Sequence, residues 1–162
     1  MQDINCRRSF LLAKISIPEL LRSAQAGRKP HILTLSPPLN LSPHWAGAHL
    51  GYTIAKYGMS LTTIGLAEEL KTDGVAVHSL WPRTTIATAA IINMDGGPAL
   101  AARARTPDIM ADAAHVILTG DATFPTGKFL VDDEVLTTAG ITDLNGYRYA
   151  DSGDELQLDS FL

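Results

Sequence analysis

Apolar residues recur along the chain with two periods, and the switches between them predict the order of elements. From Asp3 to about Gln25, Ile4, Phe10, Leu11, Ile15 and the pair Leu20-Leu21 fall at helical spacing. A helix with its apolar side on these residues is predicted, bent at Pro18 and ended by Gly27. Pro30 to Ser36 is short, largely apolar and flanked by proline on both sides, the pattern of a buried strand. Pro37, Pro38 and Pro43 then enforce a loop. Helical spacing returns from about His49 to Lys71, where Leu50, Ile54, Tyr57, Leu61, Ile64 and Leu70 form the stripe expected to face the core, with Asp73-Gly74 as the stop. Val75 to Leu80 reads as a second buried strand, closed by Trp81-Pro82-Arg83.

Further along, Ile86 to Met94 and Pro107 to Leu118 read as helices separated by Asp95-Gly96-Gly97-Pro98, and Lys128 to Val131 as a third short strand after Pro125-Thr126-Gly127. Beyond Asp132 the pattern supports one or two more helical turns at most, and no internal repeat is present. Two strands apolar at almost every position, joined by a helix of about 20 residues, describe a strand-helix-strand crossover in a parallel sheet. The class is therefore α/β. Such a sheet normally holds more than three strands. The chain begins in a helix, so a partner strand encoded upstream of Met1 is expected.

Composition narrows the function classes. At 162 residues and 46% hydrophobic content the chain is sized for one domain. The net charge of −4 arises in the stretch from Asp151 to Leu162, which holds four acids and no base, and the rest is balanced. With no basic stripe, and with the 6% of aromatic residues not interleaved with Lys or Arg, nucleic-acid binding is excluded. Cys6 stands alone, which rules out an internal disulfide or a thiolate-rich metal site and fits a reducing compartment; the cytoplasm is expected. No charged-apolar-cleavable leader pattern is visible, and no run approaches the roughly 18 apolar residues of a membrane span. Asn40-Leu41-Ser42 matches a glycosylation sequon by chance, and Ser160-Phe161-Leu162 is not a Ser-Lys-Leu address.

In an open parallel sheet, ligands sit beyond the carboxyl ends of the strands, which directs attention to the loops after Ser36 and Leu80. Tyr52 falls in the first turn of the helix after the first of these loops, and Lys56 projects from the same face one turn later. A free tyrosine titrates near ~10, and an adjacent ammonium favours the tyrosinate, so the pair is an acid-base device in outline. Spacing alone fits a packed tyrosine beside a solvated lysine better, and the surroundings carry the argument. A serine hydrolase elbow is absent, since Gly58-Met-Ser-Leu-Thr62 lacks its second glycine. His44 and His49, five apart, match no common zinc spacing, and His31, His78 and His115 lie in separate predicted elements.

Tyr52-Thr-Ile-Ala-Lys56-Tyr-Gly, preceded by Ile32-Leu-Thr-Leu-Ser36, resembles the active-site segment of the short-chain dehydrogenases/reductases. Asp3-Ile-Asn5 is similar to that family's Asn-bearing helix start, Val75-Ala-Val-His-Ser-Leu-Trp-Pro82 to its sixth strand, and Phe124-Pro-Thr-Gly-Lys-Phe-Leu130 to the entry of its last strand. Ser36-Pro-Pro-Leu-Asn-Leu and Trp81-Pro-Arg-Thr resemble the hydroxysteroid dehydrogenase-like branch most closely. The resemblance implies a partial Rossmann-type sheet of about three strands. Residues 1–135 would be the catalytic-side portion, 136–162 an acidic C-terminal tail, and the N-terminal dinucleotide-binding half would be missing. It also implies hydride transfer between NAD or NADP and a small carbonyl/alcohol substrate. Tyr52 would exchange the proton, Lys56 would bind the nicotinamide ribose, and Asn5 would order a water in the proton relay.

The departures from the family pattern are specific. Where the substrate-polarising serine belongs, this chain has Leu39 by counting and Pro37 by strand alignment, leaving Ser36 and Ser42 as the available hydroxyls. After the sixth strand, Pro82-Arg83 replaces the usual Pro-Gly, with Thr84 and Thr88 as candidates for cofactor contact or for capping the next helix. The glycine-rich turn that cradles pyrophosphate has no counterpart, so the choice between NAD and NADP is unreadable. The resemblance further implies that the helices near Asp3 and Tyr52 form a dimer interface, and self-association is expected. The competing reading is a truncated, non-catalytic relative that self-associates or binds a partner.

Overall fold

A computed structural model describes residues 1–120 and 123–162. They form two compact units. The first comprises Met1–Trp81, Phe124–Leu130 and Phe161; the second comprises Pro82–Thr123, Val131–Ser160 and Leu162.

In the first unit, a π-helical turn (Asp3–Arg7) leads into α1 (Arg8–Gln25), followed by β1 (His31–Thr34), the short α2 (Pro43–Ala48), α3 (Leu50–Glu69) and β2 (Ala76–Trp81). β1 and β2 pair in parallel, with His31 beside Ala76 and Leu33 beside His78. A third strand, β3 (Phe129–Val131), adds to the other side of β2, giving the order β1-β2-β3. The α/β class and the three strands agree with the sequence pattern. The chain enters α2 where three prolines predict only loop, because Pro43 sits at the first helical turn, where its missing N–H costs nothing. Pro18 stays inside α1.

The predicted apolar stripes face the core only at their C-terminal ends, at Leu20 and Leu21 of α1 and at Leu70 just after α3; most of their other residues face outward. On α3 the buried residues are Thr53, Ala55, Met59, Ser60, Thr63, Leu66 and Ala67, whereas Leu50, Ile54, Leu61 and Ile64 are 41–60% exposed. Of the stripe read from periodicity, Leu70 is buried and Tyr57 half-buried. On α1, Ile4 (in the preceding turn), Phe10, Leu11 and Ile15 are likewise exposed, while Ala13 is buried. Small residues let α3 approach the sheet closely, and the large apolar residues are left on the outer side. The core of this unit packs Ala13, Leu66, Ala67, Leu70, Val75 and Val77, with Ile17, Leu20, Leu21, Ala24 and Ile32 at its margin. Gly58 marks the tightest approach: a Cβ there would lie 2.6 Å from the Cys6 sulfur.

The second unit holds α4 (Ala89–Ile92), α5 (Gly97–Ala102), α6 (Asp108–Thr119), α7 (Asp132–Thr138) and a 3-10 turn (Asn145–Tyr147). α4 is shorter than the predicted helix because Thr88 caps it, and α5 occupies the predicted break, with Gly96 in the left-handed region (φ 72°). The acidic C-terminal stretch is built into this unit: Thr85 N–H donates to Gln157 O, Gln157 N–H to Arg103 O, and Leu158 bridges Thr84. Asp132 is fully buried and accepts N–H bonds from Arg83 and Asp133, each at 2.8 Å. The Arg83 guanidinium pairs with Asp133 at 3.0 Å and also with Glu134. That anchorage accounts for an arginine where the family pattern has glycine. Among the described residues no helix is long and apolar enough to cross a membrane, and no group of three His, Cys, Asp or Glu is arranged to hold a metal ion.

A buried imidazole, His78, and a half-buried one, His31, make acid stability readable. His78 is 1% exposed, and burial, reinforced by His31 with its ring centroid 5.9 Å away, lowers its pKa to about 4. Burial, together with Lys29, lowers His31 as well. Both groups bind protons more readily when unfolded, so stability is fully present above about pH 6.5 and falls as pH drops; for His78 the fall continues toward pH 4, by up to about 1.4 kcal/mol per pH unit. Urea titrations at pH 7.5 and 5 should show this loss, and His78→Gln should flatten it.

Candidate site at the carboxyl end of β1

Three elements of the first unit converge beyond the carboxyl end of β1. α3 supplies Tyr52 and Lys56 one turn apart. The Lys56 ammonium donates to Leu35 O (3.1 Å), just past the strand, and lies 5.9 Å from the Tyr52 ring centroid and 5.1 Å from that of Trp81, at the end of β2. This fixes the lysine by a hydrogen bond and two aromatic faces at the position where ligands of parallel sheets sit. The turn bearing Asn5 packs on α3 through Cys6 and Gly58, and Gln2 Nε2 reaches Gly51 O at 3.4 Å. Asn5 itself is half-buried, and its Nδ2 donates to Met1 O at 3.2 Å. A π-helical turn is a common device for re-aiming side chains at functional positions.

The two candidate serines have different surroundings. Ser36 has no exposed surface, and its hydroxyl is 2.7 Å from that of Ser79, which is 3.0 Å from that of Thr63. This buried chain of hydroxyls ties the end of β1 through β2 to α3. Ser42 is exposed at the start of α2, where its N–H donates to Asn40 Oδ1 and its hydroxyl makes no capping bond. Of the two, Ser42 keeps its oxygen accessible.

An aromatic cluster covers Tyr52. Its members are far apart in sequence and give no local signal. Phe161 is 3% exposed and its ring is stacked on Tyr52 (centroids 6.1 Å, planes at 15°), with Trp45, Tyr57 and Trp81 at 5.7, 5.2 and 6.0 Å. Among the described residues Phe161 is the one non-glycine at positive φ (75°), a conformation that costs on the order of 1–3 kcal/mol. It is latched by Asn40, whose Nδ2 donates to Phe161 O (3.2 Å) and whose carbonyl accepts from the Tyr57 hydroxyl. Burial, opposed by that bond, raises the Tyr57 pKa.

The remaining candidates lie in the second unit. Pro82 and Thr84 are buried, and Thr84 Oγ1 has no hydrogen-bond partner among the described residues. Thr88 is exposed and its hydroxyl accepts from Ile91 N–H at 3.4 Å, the capping role.

No protein-family model matches the chain. Over its whole length of 162 residues it is 49% identical to hydroxysteroid dehydrogenase-like protein 2 of Xenopus tropicalis, and the match covers 37% of that protein. The chain thus spans about a third of the length of the curated relatives it matches. In fold it is similar to a putative dehydrogenase from Xanthomonas campestris, with TM-score 0.87 and 51% identity over 99% of this chain and 57% of that one. A short chain dehydrogenase from Mycobacterium thermoresistibile gives TM-score 0.84 and 42% identity over 99% and 55%.

The hydroxyl chain generates a prediction. Ser79→Ala removes its centre, takes from the buried Ser36 hydroxyl its Ser79 partner and leaves that of Thr63 with the Met59 carbonyl at 3.4 Å, so thermal or urea unfolding should show a loss of about 1–3 kcal/mol.

Proposed function

We propose that this chain, a portion of a short-chain dehydrogenase/reductase, is the catalytic side of an NAD(P)-dependent oxidoreductase that interconverts a small carbonyl and its alcohol. The observation that carries the reading is Lys56: its ammonium is held on Leu35 O beside the Tyr52 ring at the carboxyl end of β1. The protein groups suit a nicotinamide dinucleotide. A fixed ammonium beyond a parallel strand suits a ribose hydroxyl. In the second unit, taken by itself, the buried Thr84 hydroxyl, which has no hydrogen-bond partner among the described residues, suits a polar group of the cofactor, and Pro82 is a further candidate contact. Thr88 is the weaker candidate, since its hydroxyl already caps α4. When bound, the nicotinamide of NAD or NADP supplies or accepts the hydride.

The chain's own part is proton chemistry. Tyr52 gives a proton from its phenolic oxygen to the substrate oxygen during reduction and takes it back during oxidation. Lys56 stabilises the negative charge left on that oxygen. Asn5 orders the water that resupplies the proton, and Ser42 hydrogen-bonds the substrate oxygen, Ser36 being sealed in the interior. The aromatic surroundings of Tyr52 suit an apolar substrate.

The exposed Leu50, Ile54 and Leu61 of α3 border a cavity of about 480 Å³, also lined by Cys6, Leu41 and Tyr57. Together with the outward residues of α1 they form an apolar face suited to a second copy of the chain. The competing reading, a non-catalytic relative that only self-associates, keeps this face and discards the chemistry.

Two measurements test the proposal. In a full-length protein carrying this segment, Tyr52→Phe should lower turnover at least a hundredfold and leave NAD(P)H affinity within about threefold; undiminished turnover would refute the assignment. Leu61→Glu should shift the mass seen by light scattering toward the monomer, and an unchanged mass would remove this face from the interface.

A further inference from the structure

The cluster over Tyr52 is unusual in being closed by a residue remote from every catalytic candidate in sequence. Phe161 holds a backbone conformation that phenylalanine rarely adopts, its carbonyl is fixed by Asn40, and Asn40 is in turn fixed by Tyr57. The result is a ring placed parallel to Tyr52, with Trp45, Tyr57 and Trp81 around it. Backbone strain retained at a defined side-chain position is characteristic of functional sites. Ordinary core filling does not require a phenylalanine with φ in the left-handed region. Trp81 also carries the Lys56 ammonium over its face, so the cluster borders both members of the proposed proton-handling pair.

We propose that Phe161 is a specificity-determining residue: its ring is the rigid wall that limits how much apolar bulk can lie against Tyr52, and it confines the site to slender, flat ketones and alcohols. This rests on the reading of Tyr52 as the residue that meets the substrate oxygen. Aromatic walls discriminate by shape because they have few rotamers and cannot yield to a wider ligand as a methionine or leucine can. Shortening the side chain opens space directly beside Tyr52 and leaves every residue of α3 unchanged.

The test uses a full-length protein carrying this segment, its Phe161→Leu and Phe161→Ala forms, and two probes, cyclohexanone and the bicyclic 2-decalone. Binding is followed by the emission of Trp45 and Trp81, the only two tryptophans of this chain, and turnover by NAD(P)H absorbance. The proposal expects the preference for 2-decalone over cyclohexanone, in affinity and in kcat/KM, to rise at least tenfold in Phe161→Ala and by a smaller factor in Phe161→Leu. Phe161→Leu retains most of the buried volume and serves if the alanine form does not fold. Equal scaling of both probes in the folded leucine form, or no emission change with either probe in any form, would overturn it. A shifted preference combined with undiminished turnover in Tyr52→Phe would leave the wall in place and remove the proton role. An unshifted preference with turnover abolished in Tyr52→Phe would do the reverse.

Discussion

The close seating of α3 on the sheet governs the first unit. It is made by small residues, Ala55, Ser60, Thr63 and Ala67, and by the buried hydroxyl chain from Ser36 through Ser79 to Thr63. Ser60 adds a bond from its hydroxyl to Pro37 O at 2.6 Å, tying the helix to the loop after β1. Buried hydroxyls are costly unless paired, so this arrangement specifies one register of helix against strand. The register fixes which turn of α3 stands at the end of β1, and hence that Lys56 can reach Leu35 O.

The same seating explains the outer surface. Along the stretch of α3 that buries alanine, serine and threonine, Leu50, Ile54, Leu61 and Ile64 are carried outward, as are Phe10, Leu11 and Ile15 of α1, while Leu66 stays in the core. The two faces of α3 thus have separate tasks: a polar-lined contact that sets geometry, and an apolar one that suits a second copy. The site candidates sit where the first of these faces meets the loop after β1.

Phe161 joins the far end of the sequence to this site. Its latch runs through Asn40, in the loop after β1, and Tyr57, on α3, so the elements that place Tyr52 and Lys56 also hold the ring that covers Tyr52. In the second unit Asp132 plays a comparable part for the segment after β2. Its carboxylate, buried and pushed toward the neutral form by desolvation against the pull of two N–H bonds, fixes Arg83.

The sequence by itself determined the α/β class, the strands β1 and β2, of which only β2 proved buried, at all but its first residue, the α3 helix and the placing of Tyr52 and Lys56 one turn apart on it. These rest on local periods and on a motif within one helix, which need no knowledge of distant residues. It did not determine which face of α3 is buried, because a hydrophobic stripe signals burial against something and does not say whether that is the sheet or another surface. Nor could it separate Ser36 from Ser42, since only packing decides that one hydroxyl is spent on Ser79 while the other stays at the surface. The aromatic cover over Tyr52 was invisible for the same reason. Its members lie at positions 45, 57, 81 and 161, and contacts across such separations are created by the fold and leave no spacing to read.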